Sequence, residues 1–162
     1  MVSLASCEPE VLLATVHTPT ATLLLPPHLR IVSLLADLYD RELVATIGWA
    51  KQVPGFTDLT LNDQMKLLQN TWTEILSLSL LYRSLPKSGK LNFAPDLCLN
   101  ETEAIECGLE VFFEKCMLLI DRLEILGLHK EEFLILKVRQ DIIPKRIKMI
   151  HYFHLTSGCS SC

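Results

Sequence analysis

The sequence predicts an all-α domain built around one buried helix, with a single small β-hairpin. Three observations predict it. Apolar residues recur at Leu61, Met65, Leu68, Trp72, Leu76 and Leu80, which is one helical stripe, and from Ile75 to Tyr82 nearly every residue is apolar or small. A helix that apolar on all sides belongs in the middle of a fold. Two short apolar runs between Leu91 and Leu99 flank Ala94-Pro95-Asp96, the pattern of a tight hairpin. The chain has 162 residues, 49% of them hydrophobic, which suffices for one domain with a core and is too apolar for a disordered segment.

Taken in order, residues 3–16 are expected to form a short helix interrupted by Pro9. Residues 17–28 hold Pro19, Pro26 and Pro27 and read as a loop. Ile31 to Gln52 is predicted as a long helix with Leu35, Leu38, Glu42 and Trp49 roughly on one face and Lys51 pointing away from it. Val53-Pro54-Gly55-Phe56 breaks that pattern. Thr60 then caps the next helix, with Asp63 placed to answer it in a capping box. That helix spans 61–84 and stops before Pro86, and Lys87-Ser88-Gly89-Lys90 is a turn into the hairpin. Asn100 with Glu103 is another N-cap, opening a helix expected to run unbroken to Leu126 and end at Gly127. A last helix starts at Lys130, and Pro144 would end or kink it.

Composition excludes several classes of function. The formal net charge of −4 argues against a nucleic-acid surface. The charge is uneven: residues 138–162 hold Arg139, Lys145, Arg146 and Lys148 against Asp141, so the remainder is more acidic than the whole. No apolar run approaches the ~20 residues of a membrane span. The first 16 residues lack a basic leader, so no export signal is read, and the six cysteines are expected to be reduced thiols. Cys98, Cys107, Cys116, Cys159 and Cys162 do not have the spacing of a zinc site, even with His151 and His154 near the last pair. Lys145-Arg146-Ile147-Lys148 reads as a solvated basic cluster. No phosphate loop, nucleophile elbow or HExxH motif is present, and no catalytic residue is assigned.

Two constellations remain. Glu42 and Arg83 each continue an apolar stripe, so both should point inward, where an unpaired charge is too costly to keep. They read either as a polar clamp at one end of an apolar cavity or as a structural ion pair. Ile47, Lys51, Leu61, Gln64, Met65 and Leu68 read either as a groove for an amphipathic helix, whose carbonyl end Lys51 would meet, or as an ordinary helix seam beside a solvated lysine. Residue patterning alone leaves a helical protein-interaction module open.

Trp49-Ala50-Lys51, Pro54-Gly55-Phe56, Leu59, Asp63-Gln64, Leu67-Leu68, Trp72 and Glu74 resemble the signature of the nuclear receptor ligand-binding domain. Asp40-Arg41-Glu42-Leu43, Ile47-Gly48-Trp49-Ala50-Lys51, Tyr82-Arg83-Ser84-Leu85-Pro86, Lys90-Leu91-Asn92-Phe93-Ala94 and Glu131-Glu132-Phe133 are similar to estrogen-related receptors, particularly arthropod ones, with estrogen receptors as the near alternative. The resemblance implies a nuclear receptor ligand-binding-domain helical sandwich, incomplete because the C-terminal helices are missing. Residues 1–137 form a partial domain. Residues 138–162 form a non-homologous tail, disordered or a marginal helix.

Lys137-Val138-Arg139 can be encoded as an exon end followed by a splice donor, so translated intron is the expected origin of that tail. With covering helices missing, the apolar faces of 61–82 and 109–126 are expected to stay partly exposed, and the product to aggregate. At ~25 cal/mol per Å² such losses are large against stabilities of ~5–15 kcal/mol.

The resemblance also assigns sites. Leu35, Leu38, Tyr39, Glu42, Trp72, Leu76, Leu80, Arg83 and Phe93 match ligand-pocket positions, with Glu42 and Arg83 as the pair that holds a phenol in estrogen receptors. Ile47, Lys51, Leu61, Gln64, Met65 and Leu68 match the coactivator groove. Tyr39 stands where estrogen receptors have a small residue, so the pocket is expected to be largely self-filled and a poor site for estradiol. The implied function is that of a fragment of a ligand-regulated or constitutively active transcription factor of the nucleus. It would have no cofactor and no metal, either a steroid-like ligand or none, and coactivator helices as partners, bound weakly without an activation helix. DNA binding through zinc fingers, and dimerisation, would belong to the full-length receptor.

Overall fold

A computed structural model describes residues 7–16 and 20–142, with no side chains described for 20, 21 and 139–142. Among the described residues six helices and a hairpin follow one another: α1 (Thr20–Leu23), α2 (Pro27–Ala50), α3 (Leu61–Arg83), β1 (Leu91–Ala94), β2 (Leu97–Leu99), α4 (Glu101–Glu106), α5 (Glu110–Leu126) and α6 (Lys130–Ile142). α3 is the element the rest pack round: it meets α2, α5, α6 and β1. Its residues Ile75, Leu76, Leu78, Leu80 and Leu81 are all buried, as its all-round apolar sequence predicts.

The start of α2 corrects the expected loop over 17–28. Pro27 occupies the first helical turn, where a missing N–H costs nothing and a fixed φ favours the helix. Two prolines that read as loop punctuation therefore open the helix four residues before Ile31. α3 is capped as expected by Thr60, whose side chain accepts from the Asp63 amide at 3.2 Å. The reciprocal contact differs from the expected box: Thr60 Oγ1 itself donates to the Asp63 carboxylate at 2.7 Å.

The hairpin forms where predicted, pairing Leu91 with Leu99 and Asn92 with Cys98, with an irregularity between Asn92 and Ala94. Leu91, Ala94, Leu97 and Leu99 are buried. The Asn92 amide donates to Ser84 Oγ at 2.9 Å, and Asn92 Nδ2 donates to the Arg83 carbonyl at 3.2 Å, which ties β1 to the end of α3.

The single helix expected over 100–126 is two. The capping box of Asn100 and Glu103 is complete, but α4 ends after one and a half turns. Gly108 adopts a left-handed φ of 73°, its N–H donates to Ile105 O at 3.0 Å, and the Leu109 N–H reaches back to Ala104 O at 2.7 Å. This is a Schellman stop, repeated at Gly127 to end α5.

Residues 7–16 form no helix, against expectation. Their backbone groups are bound from elsewhere in the fold. Asp96 accepts from the Ala14 and Thr15 amides at 2.7 and 2.9 Å, and Arg41 donates to the Leu13 carbonyl at 2.8 Å. Cys7 is buried with Trp49, Ala50, Val53, Phe56 and Ile75. Lys137 fixes the same strap, donating from Nζ to both Glu8 oxygens at 2.9 and 3.1 Å while lying 4.5 Å from the Trp49 ring centroid. Of the expected tail, residues 138–142 continue α6 and Val138 packs beside Trp49. Pro144, the basic cluster at 145–148, His151, His154, Cys159 and Cys162 lie outside the described residues.

Candidate functional site

Two helices and the hairpin meet around a cavity of about 330 Å³. α2 contributes Leu35, Leu38, Tyr39 and Glu42, which are three and four residues apart and so share one helical face. α3 contributes Thr73, Leu76, Ser77, Leu80 and Arg83 by the same spacing. Phe93 of β1, Leu109 and Phe112 complete the wall, and the two phenylalanine rings stack at 6.4 Å between centroids. The volume lies at the low end of the ~300–1,000 Å³ of small-molecule sites.

Arg83 Nη1 donates to Glu42 Oε1, joining α2 to α3 at the cavity wall. The pair is only partly shielded, with the Glu42 side chain 14% and the Arg83 side chain 32% exposed. Arg83 Nε is buried with no hydrogen-bond partner among the described residues. Asn92, holding the Arg83 carbonyl, fixes the backbone from which the guanidinium projects. The ion pair sits on the wall of an otherwise greasy chamber, while Arg83 Nε itself is covered by protein.

Of the nine predicted pocket residues, Trp72 alone is absent from the lining. It stands behind Tyr39, edge to face with a centroid separation of 5.5 Å. Burial, and to a lesser extent the neighbouring Asp40 charge, raises the Tyr39 phenol above its ordinary pKa. Tyr39 lines the chamber without closing it, so the expected self-filling is incomplete. Thr73, Ser77, Leu109 and Phe112 were not predicted. The first two could have been found from the i, i+3, i+4 pattern through Leu76 and Leu80. Leu109 and Phe112 depend on the helix break at Gly108, which turns α5 toward β1.

The six predicted groove residues fall at two helix ends. Ile47 and Lys51 are one turn apart where α2 stops, and Leu61, Gln64, Met65 and Leu68 follow along the first turns of α3. The turn between them is anchored by buried Val53 and Phe56. Leu68 packs against that cluster, whereas Leu61 and Met65 are 72% and 52% exposed and Lys51 is exposed. Gln64 Nε2 donates to the Leu59 carbonyl at 2.9 Å.

Among the described residues no group of three or more His, Cys, Asp or Glu could hold a metal ion, and no helix is long and apolar enough to cross a membrane. Cys7, Cys98, Cys107 and Cys116 form no disulfide among the described residues, and burial pushes the Cys116 thiol up to about 12.

Residues 27–139 match the family model of the ligand-binding domain of nuclear hormone receptors. The chain is 46% identical over 109 residues to the steroid hormone receptor ERR2 of Homo sapiens, covering 67% of this chain and 25% of that protein. It is 48% identical over 111 residues to the estrogen receptor of Ictalurus punctatus, covering 67% and 18%, and 47% identical over 108 residues to that of Xenopus laevis, covering 65% and 18%. Identity does not separate the two groups, and the chain spans about a quarter or less of the length of these curated relatives. With a matched stretch that includes α2 through most of α6, the chain belongs to the family of nuclear hormone receptor ligand-binding domains.

Proposed function

We propose that the chain is the ligand-binding region of a transcription-regulating nuclear receptor similar to the estrogen-related and estrogen receptors. On this reading the cavity takes a small, mostly apolar molecule with a phenol or similar oxygen held between Glu42 and Arg83. The single observation that supports it most is that ion pair, partly open, on the wall of a 330 Å³ apolar chamber. Ile47, Lys51, Leu61, Gln64, Met65 and Leu68 are assigned to a coactivator helix, Lys51 meeting its carbonyl end. Exposed Leu61 and Met65 beside an exposed lysine support that assignment. The same reading places the working receptor in the nucleus, acting on transcription by RNA polymerase II. Residues 1–137 are the receptor-like unit and 138–162 a separate tail.

Titration with radiolabelled estradiol tests the cavity. The expected result is weak binding by the native chain, tighter binding by Tyr39→Ala, which widens the chamber, and loss of that binding when Glu42→Ala is added. Tight binding indifferent to both substitutions would overturn the assignment of the pair and of Tyr39.

A further inference from the structure

Three elements wall the chamber, and two of the three seams between them are joined directly. α3 packs on α2 and is bonded to it through Arg83 and Glu42. α3 also packs on β1, which Asn92 ties to Ser84 and to the Arg83 carbonyl. Among the described residues, α2 and the hairpin make no direct contact of comparable extent. That third seam is filled by the strap. The Ala14 side chain is fully buried in one cluster with Leu38 of α2 and with Ala94, Leu97 and Leu99 of the hairpin. Leu35 and Phe93 of the chamber wall pack against the same cluster.

The backbone of the strap is held here from both sides. The Ala14 N–H donates to Asp96 Oδ1 at 2.7 Å, between the two strands, while the Ala14 carbonyl accepts from Arg41 Nη2 of α2 at 3.4 Å. Its neighbours repeat the pattern. The Thr15 amide and hydroxyl donate to Asp96 Oδ2 at 2.9 and 2.6 Å, and the Leu13 carbonyl accepts from Arg41 Nη1 at 2.8 Å. Arg41 is itself steadied on α2, donating from Nε to Asp37 at 2.8 Å. Hydrogen bonds to charged groups are stronger than neutral ones. A buried methyl group has no rotamers with which a gap could readjust, and close-packed interiors respond to a change of one methylene.

We propose that Asp96 and Arg41 are positioning residues that act through Ala14 to fix the separation of the α2 and hairpin walls, and so the thickness of molecule the chamber accepts. This rests on the reading of the chamber as a ligand site. Neither side chain lines the chamber, so neither acts by touching the occupant. Loosening either grip slackens the seam. A flat occupant then loses contact with one wall, and a thick one gains room. A support that acted on stability alone would weaken both alike.

2-Naphthol and 4-(1-adamantyl)phenol carry the same phenol on a flat and on a thick apolar body, and equilibrium dialysis of each against the whole chain tests the proposal. Asp96→Ala and Arg41→Met, made singly, are each expected to shift the ratio of the two dissociation constants about fivefold in favour of the adamantyl compound. Thr15→Val, a surface change that removes one bond to Asp96, should shift it the same way by a smaller factor. That variant keeps the proposal open to refutation if a stronger one does not fold. A ratio unchanged in the folded variants, with both affinities lowered alike, overturns the proposal. If 2-naphthol does not bind the native chain, or binds Glu42→Ala equally well, the ligand-site reading fails and this one with it.

Discussion

At the scale of single residues, two of the ion pairs differ in kind. Glu42 and Arg83 lie on the wall of a chamber and keep part of their side-chain surface open, so their arrangement leaves something for a ligand to do. Lys137 is 4% exposed, and its ammonium both spans the two Glu8 oxygens and lies over the Trp49 ring. Nothing is left over there, and the pair is structural. Its two halves are unequal because the Glu8 side chain keeps 26% of its exposure and can turn to water, whereas Lys137 cannot. Glu8→Ala strands a buried ammonium and should cost about 3 kcal/mol. Lys137→Met keeps the packing over Trp49 and should cost about 1 kcal/mol. Urea unfolding of the two variants followed by tryptophan fluorescence measures the order, and an equal or reversed order would contradict the asymmetry.

At the scale of elements, the break between α4 and α5 positions the far wall of the cavity. It depends on one residue. Gly108 has a φ of 73°, and a Cβ built there meets nothing within 4 Å, so any cost of a side chain is purely a matter of backbone conformation. Gly108→Ala should therefore destabilise the fold by about 1–2 kcal/mol, the usual penalty for a left-handed L-residue. Leu109 and Phe112 follow directly after this turn, so the same substitution should weaken any ligand of the chamber more than an equal destabilisation elsewhere. Thermal unfolding and probe binding on the one variant check both parts. The strap at 7–16 shows the opposite control. Burial works against the ionised form of Asp96, but hydrogen bonds from the Thr15 hydroxyl and the Ala14 and Thr15 amides outweigh it and lower its pKa. Stability from this clasp is present above the ordinary carboxylate range and is lost as pH falls through the lowered value.

At the scale of the whole molecule, the apolar surface that remains open decides behaviour in solution. On α5, Val111, Leu118 and Ile125 recur every seven residues and are 51%, 61% and 85% exposed, and Leu126 beside them is 74% exposed. Seven-residue spacing puts them along one side of the helix, separated by Glu114, Lys115, Asp121 and Arg122, with Ile125 and Leu126 adjoining at its end, and exposed apolar surface of this kind favours association. The chain should therefore self-associate at micromolar concentrations. Leu118→Lys with Ile125→Lys should shift it toward monomer at little cost to the fold, since neither side chain is buried. Sedimentation velocity over a concentration series measures this; a native chain that stays monomeric throughout would remove the expectation.

Much of this molecule was written locally. The all-round apolar stretch of α3, the Thr60 and Asn100 caps, the hairpin about Pro95 and the inward placement of Glu42 and Arg83 follow from periodicity and capping chemistry, which act over a few residues. The same local rules misjudged Pro27, Gly108 and residues 7–16. Pro27 and Gly108 carried real signals that were read as a loop and as helix interior. Residues 7–16 carried no decisive local signal. Their conformation is set by Asp96, Arg41 and Lys137, between 27 and 129 positions away in the chain. Only the tertiary structure could bring those partners together. It alone turned Thr73 and Ser77 from two small polar residues on a central helix into two residues lining a chamber, because which side of a helix packed on several faces meets empty space is decided by its neighbours and not by its own sequence.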